Sequence, residues 1–304
     1  RTIDQFTDVM MINNFNLNDY SLWTALVTPF DQHGDVDYNT LTKLVSDQEA
    51  AHNGILLLGS TGEGLALTLK EQQAIVEHVC QLKPTVPLMV AVGGSNLKQQ
   101  IEWVNYCNTL PIHSFLLGSP LYAKPGAIGQ THWFESLLNA SAHPCMLYNV
   151  PGRSAVSIPA ATIQNLQNNK NLWALKEASG SIAQFEAYRQ AAPNLAIFSG
   201  DDALMPYFAQ AGAKGLVSVA ANAWPEQTHE FVKRSLSGQH PNLFAQWSSA
   251  INSLFAVANP IPVKVLMHLQ GRLSSPQLRP PLTHLELTQT DCITTANNTI
   301  LSWH

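Results

Sequence analysis

Charge is scarce in this chain. Only 12% of its 304 residues are Asp, Glu, Lys or Arg, against 45% hydrophobic residues. The net charge is -5 and the sequence pI about 6.1. No basic cluster points to nucleic acid or to an anionic membrane surface. No apolar run approaches the roughly 18 residues of a membrane span. Residues 1–19 lack a basic stretch followed by an apolar one, so no secretory signal is expected. Residues 1–20 read as a polar, Asn-rich extension, and a cytoplasmic location is expected. The four cysteines, Cys80, Cys107, Cys145 and Cys292, lie far apart without Cys-x-x-Cys spacing. That spacing signals neither a disulfide framework nor a cysteine zinc site. Three of them sit among apolar neighbours and read as inert core thiols. No His cluster or carboxylate pair stands at metal spacing. No Gly-x-Gly-x-x-Gly follows the first strand, and no Gly-Lys-Ser/Thr completes a Walker loop. What remains is a compact, apolar chain with a sizeable core.

The apolar residues come in short bounded runs. Leu22–Val27, Ile55–Leu58, Leu88–Val92, Ser114–Leu117, Cys145–Tyr148, Leu172–Leu175, Leu195–Phe198 and Gly215–Ser218 read as strands. They are apolar throughout, as parallel strands covered on both faces should be. Helical spacing fills the intervals. Asp37 caps a face of Leu41, Leu44 and Val45, and Thr68 with Glu71 forms a capping box ahead of Ile75, Val76 and Val79. Ser95 or Asn96, Pro159, Ser181 and Pro225 open further helices. Eight such alternations predict a (β/α)8 TIM barrel over residues 21–238. A doubly wound open sheet is the alternative. Residues 239–304 read as an appended C-terminal helical region.

One residue breaks the pattern. The run ending at Leu175 is followed by Lys176, where packing alone would not place an ammonium. Desolvation there favours an uncharged, nucleophilic amine, and Lys176 reads as a Schiff-base lysine. A snorkelling or salt-bridged lysine is the plainer alternative. In a barrel, residues just after each strand gather on one face. That face would collect Thr28, Ser60, Thr61, Tyr122, Tyr148, Arg153, Lys176, Asp201, Asp202 and Ser218. Hydroxyls and phenols can relay a proton without a fixed charge. The Gly59-Ser-Thr-Gly62 loop can bring backbone amides to a carboxylate, and Arg153 can take a second one bidentately. Glu177, next to Lys176, should face away from the barrel axis. Asp201 and Asp202 read as an N-cap and a first-turn charge.

Gly59-Ser-Thr-Gly-Glu63, Tyr148-Asn-Val-Pro-Gly-Arg153, Leu175-Lys-Glu-Ala-Ser179, Gly200-Asp-Asp202 and Asn259-Pro-Ile-Pro-Val-Lys264 occur in one order. In these motifs the chain resembles the dihydrodipicolinate synthase family, within the pyruvate-dependent class I aldolases and N-acetylneuraminate lyases, from about Leu22 to Arg272. The resemblance implies a lyase of lysine and diaminopimelate biosynthesis that condenses pyruvate with L-aspartate 4-semialdehyde, without metal or organic cofactor. It implies that Lys176 forms the Schiff base and that Tyr148 is the general acid/base. Ser60 and Tyr122 complete the relay, Tyr122 entering a neighbouring subunit of a tight dimer, commonly paired into a tetramer. Thr61, Gly59, Gly62 and Val217 would bind pyruvate, and Arg153 the semialdehyde carboxylate. Ser60 stands where the family usually has threonine. Gly-Ser-Thr-Gly-Glu is also common in sialic acid and 2-keto-3-deoxy-sugar acid aldolases, which are the alternative function; a non-catalytic binding barrel is the second. Lysine-sensitive members carry a Tyr before the relay tyrosine and polar residues, often His and Glu, nearby. Here Leu121, Leu69, Gln72 and Gln100 replace them, so weak or absent lysine inhibition is expected.

Overall fold

The computed structural model describes residues 15–239 and 241–303. The greater part of the predicted N-terminal extension, residues 1–14, lies outside the described residues. Eight parallel strands close into a barrel in sequence order. They are β1 (Leu22–Ala25), β2 (Gly54–Leu57), β3 (Leu88–Val92), β4 (Ser114–Gly118), β5 (Cys145–Asn149), β6 (Leu172–Glu177), β7 (Ala196–Ser199) and β8 (Gly215–Ser218). β8 returns to pair with β1 through Trp23 opposite Val217. The alternative of a doubly wound open sheet is thereby excluded. The first strand ends at Ala25 rather than Val27, whose N–H is taken by the Asn222 side chain at 2.9 Å.

The helices follow in order: α1 (Tyr38–Ala50), α2 (Leu69–Gln81), α3 (Leu97–Cys107), α4 (Ala127–Ala140), α5 (Pro151–Ser154), α6 (Ala160–Leu166), α7 (Ile182–Ala191), α8 (Met205–Ala211), α9 (Pro225–Ser237), α10 (Phe244–Leu254), α11 (Ile261–Leu269) and α12 (Asp291–Leu301). The caps act as expected. Asp37 accepts from the Thr40 N–H at 3.0 Å, and Thr68 with Glu71 closes the capping box of α2. Asn96 and Ser181 cap α3 and α7.

Period-two alternation sorts the strands into two cores. Trp23, Ala25, Leu56, Met89, Leu116, Met146, Ala174, Phe198 and Val217 pack together inside the barrel. Their chain neighbours Ile55, Val90, Phe115, Leu147, Leu175 and Ile197 face the helices. The interior is filled, as small barrels require. Trp23 fills its floor so fully that a Cβ on Gly54 would lie 2.5 Å from the indole, which is why β2 starts with glycine. Phe15, Leu17 and Tyr20 pack against this cluster and cover that end.

Cys80, Cys107 and Cys145 are buried as expected, and Cys292 is exposed. Burial pushes the Cys80 and Cys145 thiols up to about 12, which leaves them unreactive. Among the described residues no helix is long and apolar enough to cross a membrane.

Candidate active site

The strand ends place the predicted groups as alternation requires. Tyr148 on β5 is directly opposite Lys176 on β6, and Lys176 is opposite Phe198 on β7. Lys176 is only 5% exposed. Its Nζ lies 4.0 Å from the centroid of the Tyr148 ring. No carboxylate is paired with it among the described residues, so the salt-bridged alternative does not hold. The next residues of the same strands point outward and lock together. Asn149 donates to Glu177 at 2.7 Å, and Ser179 donates to Glu177 through its N–H and its hydroxyl. Glu177 is therefore fully buried and structural, as expected. It fixes the tops of β5 and β6, and with them the separation of Tyr148 from Lys176.

Gly200 makes room for the lysine. A Cβ there would sit 2.8 Å from Lys176 Cε and 2.7 Å from the Ala178 Cβ. The Gly200-Asp-Asp202 motif is read differently by the structure than by the sequence. Asp201 accepts from the Ala203 and Leu204 N–H groups just ahead of α8. Asp202 does not act as a first-turn charge. It is buried, accepts from the Ser218 hydroxyl and, at 2.9 Å, from the Val219 N–H. Burial pushes its carboxyl up to about 6 although these hydrogen bonds oppose the shift. Ser218 and Asp202 thus join β8 to the β7 loop and leave the predicted catalytic face.

The Gly59 to Gly64 loop is braced from three sides. Thr28 donates to the Gly62 carbonyl at 2.6 Å, so Thr28 supports the loop rather than a substrate. Glu63, in a left-handed conformation at φ 55°, is buried and meets Lys264 Nζ at 2.8 Å. Lys264 also donates to the Thr28 carbonyl at 2.8 Å, and the Arg279 N–H reaches the other Glu63 oxygen at 2.8 Å. Burial pushes the Lys264 ammonium down to about 8 against the opposing pull of Glu63. Arg279 in turn grips Glu71 at 2.6 Å, and its guanidinium holds that carboxyl down at about 2. Thr61 is buried and accepts from Asn259 at 2.9 Å.

Ser60, Gly59, Tyr148 and Arg153 line one cavity of about 730 Å3. Arg153, on α5, is exposed at its rim and donates to the Asn259 carbonyl at 3.2 Å. Val217 lies inside the barrel beneath the site, in the same cluster as Phe198. Gly62 completes the braced loop. Tyr122 is not brought to this cavity. It is 93% exposed and holds φ at 70°, a conformation costly for a bulky side chain. The same cavity extends past Leu65, Leu69, Gln72, Gln100 and Leu121. Asn259, Glu63 and Lys264 stood in quoted motifs without an assigned role. Lys264 had a visible signal: it is a lone lysine inside the buried run Ile261–Met267.

The chain matches the family model described as the Dihydrodipicolinate synthetase family over residues 19–298. It is 45% identical over 283 residues to the 4-hydroxy-tetrahydrodipicolinate synthase of Wolbachia pipientis from Culex pipiens, covering 93% of this chain and 96% of the relative. Two solved structures superpose with a TM-score of 0.88. The dihydrodipicolinate synthase of Acinetobacter baumannii, solved with pyruvate, is 28% identical and is matched over 92% of this chain and 98% of its own. That of Cyanidioschyzon merolae, solved with lysine bound, is 29% identical and is matched over 94% and 99%.

Proposed function

This chain belongs to the Dihydrodipicolinate synthetase family, and we propose that it makes 4-hydroxy-tetrahydrodipicolinate from pyruvate and L-aspartate 4-semialdehyde. The observation that carries this reading is the buried Lys176 amine set against Tyr148, which lines an open cavity. The amine adds to the keto carbon of pyruvate, and the carbinolamine loses water to leave the Schiff base. Tyr148 moves the protons of these steps, with Ser60 as relay. Thr61 and the Gly59–Gly62 loop hold the pyruvate carboxylate, and Val217 contributes to the floor. Loss of a methyl proton gives the enamine, whose carbon attacks the aldehyde of the second substrate. The substrate amine then displaces the lysine nitrogen as the product cyclises. Arg153 at the rim receives the carboxylate of the semialdehyde.

Borohydride reduction with pyruvate tests this reading. A single pyruvyl adduct on Lys176 is expected, and folded protein without one overturns it. Turnover with the semialdehyde, and none with N-acetylneuraminate or 2-keto-3-deoxygluconate, separates the synthase from the sugar-acid aldolases. Arg153→Ala is expected to raise the semialdehyde KM by about 10- to 150-fold, the loss of charge-assisted hydrogen bonds. Pyruvate trapping should change little; equal damage to both would remove Arg153 from its assigned role.

A second copy of this chain accounts for Tyr122. An exposed tyrosine held at positive φ is explained if its ring enters the relay of a partner, alongside exposed Leu65 and Leu69. A tight dimer follows from this reading, and pairing of two such dimers into a tetramer is the assembly proposed with it. The cavity wall beyond the site also bears on lysine. Gln72 already donates to the Gly64 carbonyl at 2.7 Å, and Leu121 offers no aromatic face to a cation. Lysine at low millimolar concentration is expected to leave turnover unchanged. Clear inhibition in that range would refute this expectation.

A further inference from the structure

Asn259 lies outside the eight βα units, just ahead of α11, yet it touches both sides of the site. Its side-chain amide donates to Thr61 Oγ1 at 2.9 Å, and its main-chain carbonyl accepts from Arg153 Nη2 at 3.2 Å. The residue is 7% exposed. Its Oδ1 is buried and has no hydrogen-bond partner among the described residues.

A threonine hydroxyl has one proton and two lone pairs. Once a lone pair takes the Asn259 amide, the proton must point elsewhere. The reversed amide orientation would turn Asn259 into an acceptor and consume that proton. The observed orientation leaves a buried carbonyl unsatisfied, an arrangement that costs stability. What it secures is a Thr61 hydroxyl free to donate.

We propose that Asn259 is a positioning residue that turns the Thr61 hydroxyl into a donor for the pyruvate carboxylate while its main-chain carbonyl holds Arg153 at the mouth. This inference rests on the pyruvate reading given above. One residue from the C-terminal region thereby sets the spacing of the two carboxylate subsites. The side chain serves the pyruvate side and the main chain serves the semialdehyde side, so the two functions separate on substitution.

The test is borohydride trapping as a function of pyruvate concentration, with steady-state KM values and melting temperature measured in parallel. Wild type, Asn259→Ala, Thr61→Val and the double variant are compared. Each single variant is expected to raise the half-saturating pyruvate concentration by about tenfold. The double variant should stay within about twofold of Thr61→Val, because Asn259 acts only through the Thr61 hydroxyl that this change removes. The semialdehyde KM of Asn259→Ala should stay within about twofold of wild type. The near-isosteric Asn259→Asp, whose carboxylate would take the Thr61 proton for itself, replaces the alanine variant if that one does not fold. Effects that multiply to about a hundredfold in the double variant overturn the inference. So does a rise in both KM values together with a fall in melting temperature, the signature of a merely structural role. A wild type that traps pyruvate while the variants trap it equally well overturns the inference alone. A wild type that traps none overturns the pyruvate reading, and the inference with it.

Discussion

Replacing Lys176 by alanine is expected to abolish pyruvate trapping and to lower kcat by about 10⁴- to 10⁶-fold, the scale on which nucleophile deletions act. The protein should remain folded, since a smaller side chain at this position meets no obstacle and Gly200 leaves space beside it. Removing a buried amine that has no carboxylate partner among the described residues strands no opposite charge there. The measurement is mass spectrometry after borohydride treatment, with a melting curve as control. Trapping that persists in the variant would place the Schiff base on another amine. Among the described residues Lys264 is the other buried lysine, but its Nζ is committed to Glu63 and to the Thr28 carbonyl. An amine so engaged has no free approach to a ketone.

The second large effect is on stability. Lys264→Met is expected to destabilise the fold by about 3–5 kcal/mol, because it leaves the Glu63 carboxylate buried and unpaired. Lys264 is 0% and Glu63 2% exposed at the side chain, so water cannot replace the lost partner. Glu63→Gln combined with Lys264→Met should recover part of the loss, since no charge is then stranded. Urea unfolding measures both. A Lys264→Met variant within about 1 kcal/mol of wild type would show that the pair contributes little. Glu63 closes the loop that carries Ser60 and Thr61, so residual activity in this variant should show weakened pyruvate trapping.

The barrel was legible because its strands are covered on both faces and therefore apolar throughout. Lys176 stood out for the same reason: a charged group where the pattern demands an apolar one. The same reasoning applied to Ile261–Met267 marks Lys264, but its partner Glu63 is 201 positions away. No spacing rule spans that interval. Asp202 misled for a related reason. Its position before a helix suggested a local cap, whereas its partners are Ser218 and Val219 on the adjacent strand end. Tyr122 shows the other limit, since its ring is exposed in the single chain and the role proposed for it requires a second copy.

The division follows the range of the forces involved. Alternation along a strand is set by neighbouring residues, so the primary sequence alone puts Tyr148 and Lys176 inside and Asn149 and Glu177 outside. Capping is equally local, and the caps at Asp37, Thr68, Asn96 and Ser181 stand where the residue types place them. Which distant groups meet is another matter. Asn259 reaches Thr61 across 198 positions only because the barrel closes and the chain after it folds back over the Gly59–Gly64 loop. Barrel closure and that return over the loop turn two separate motifs into one braced site.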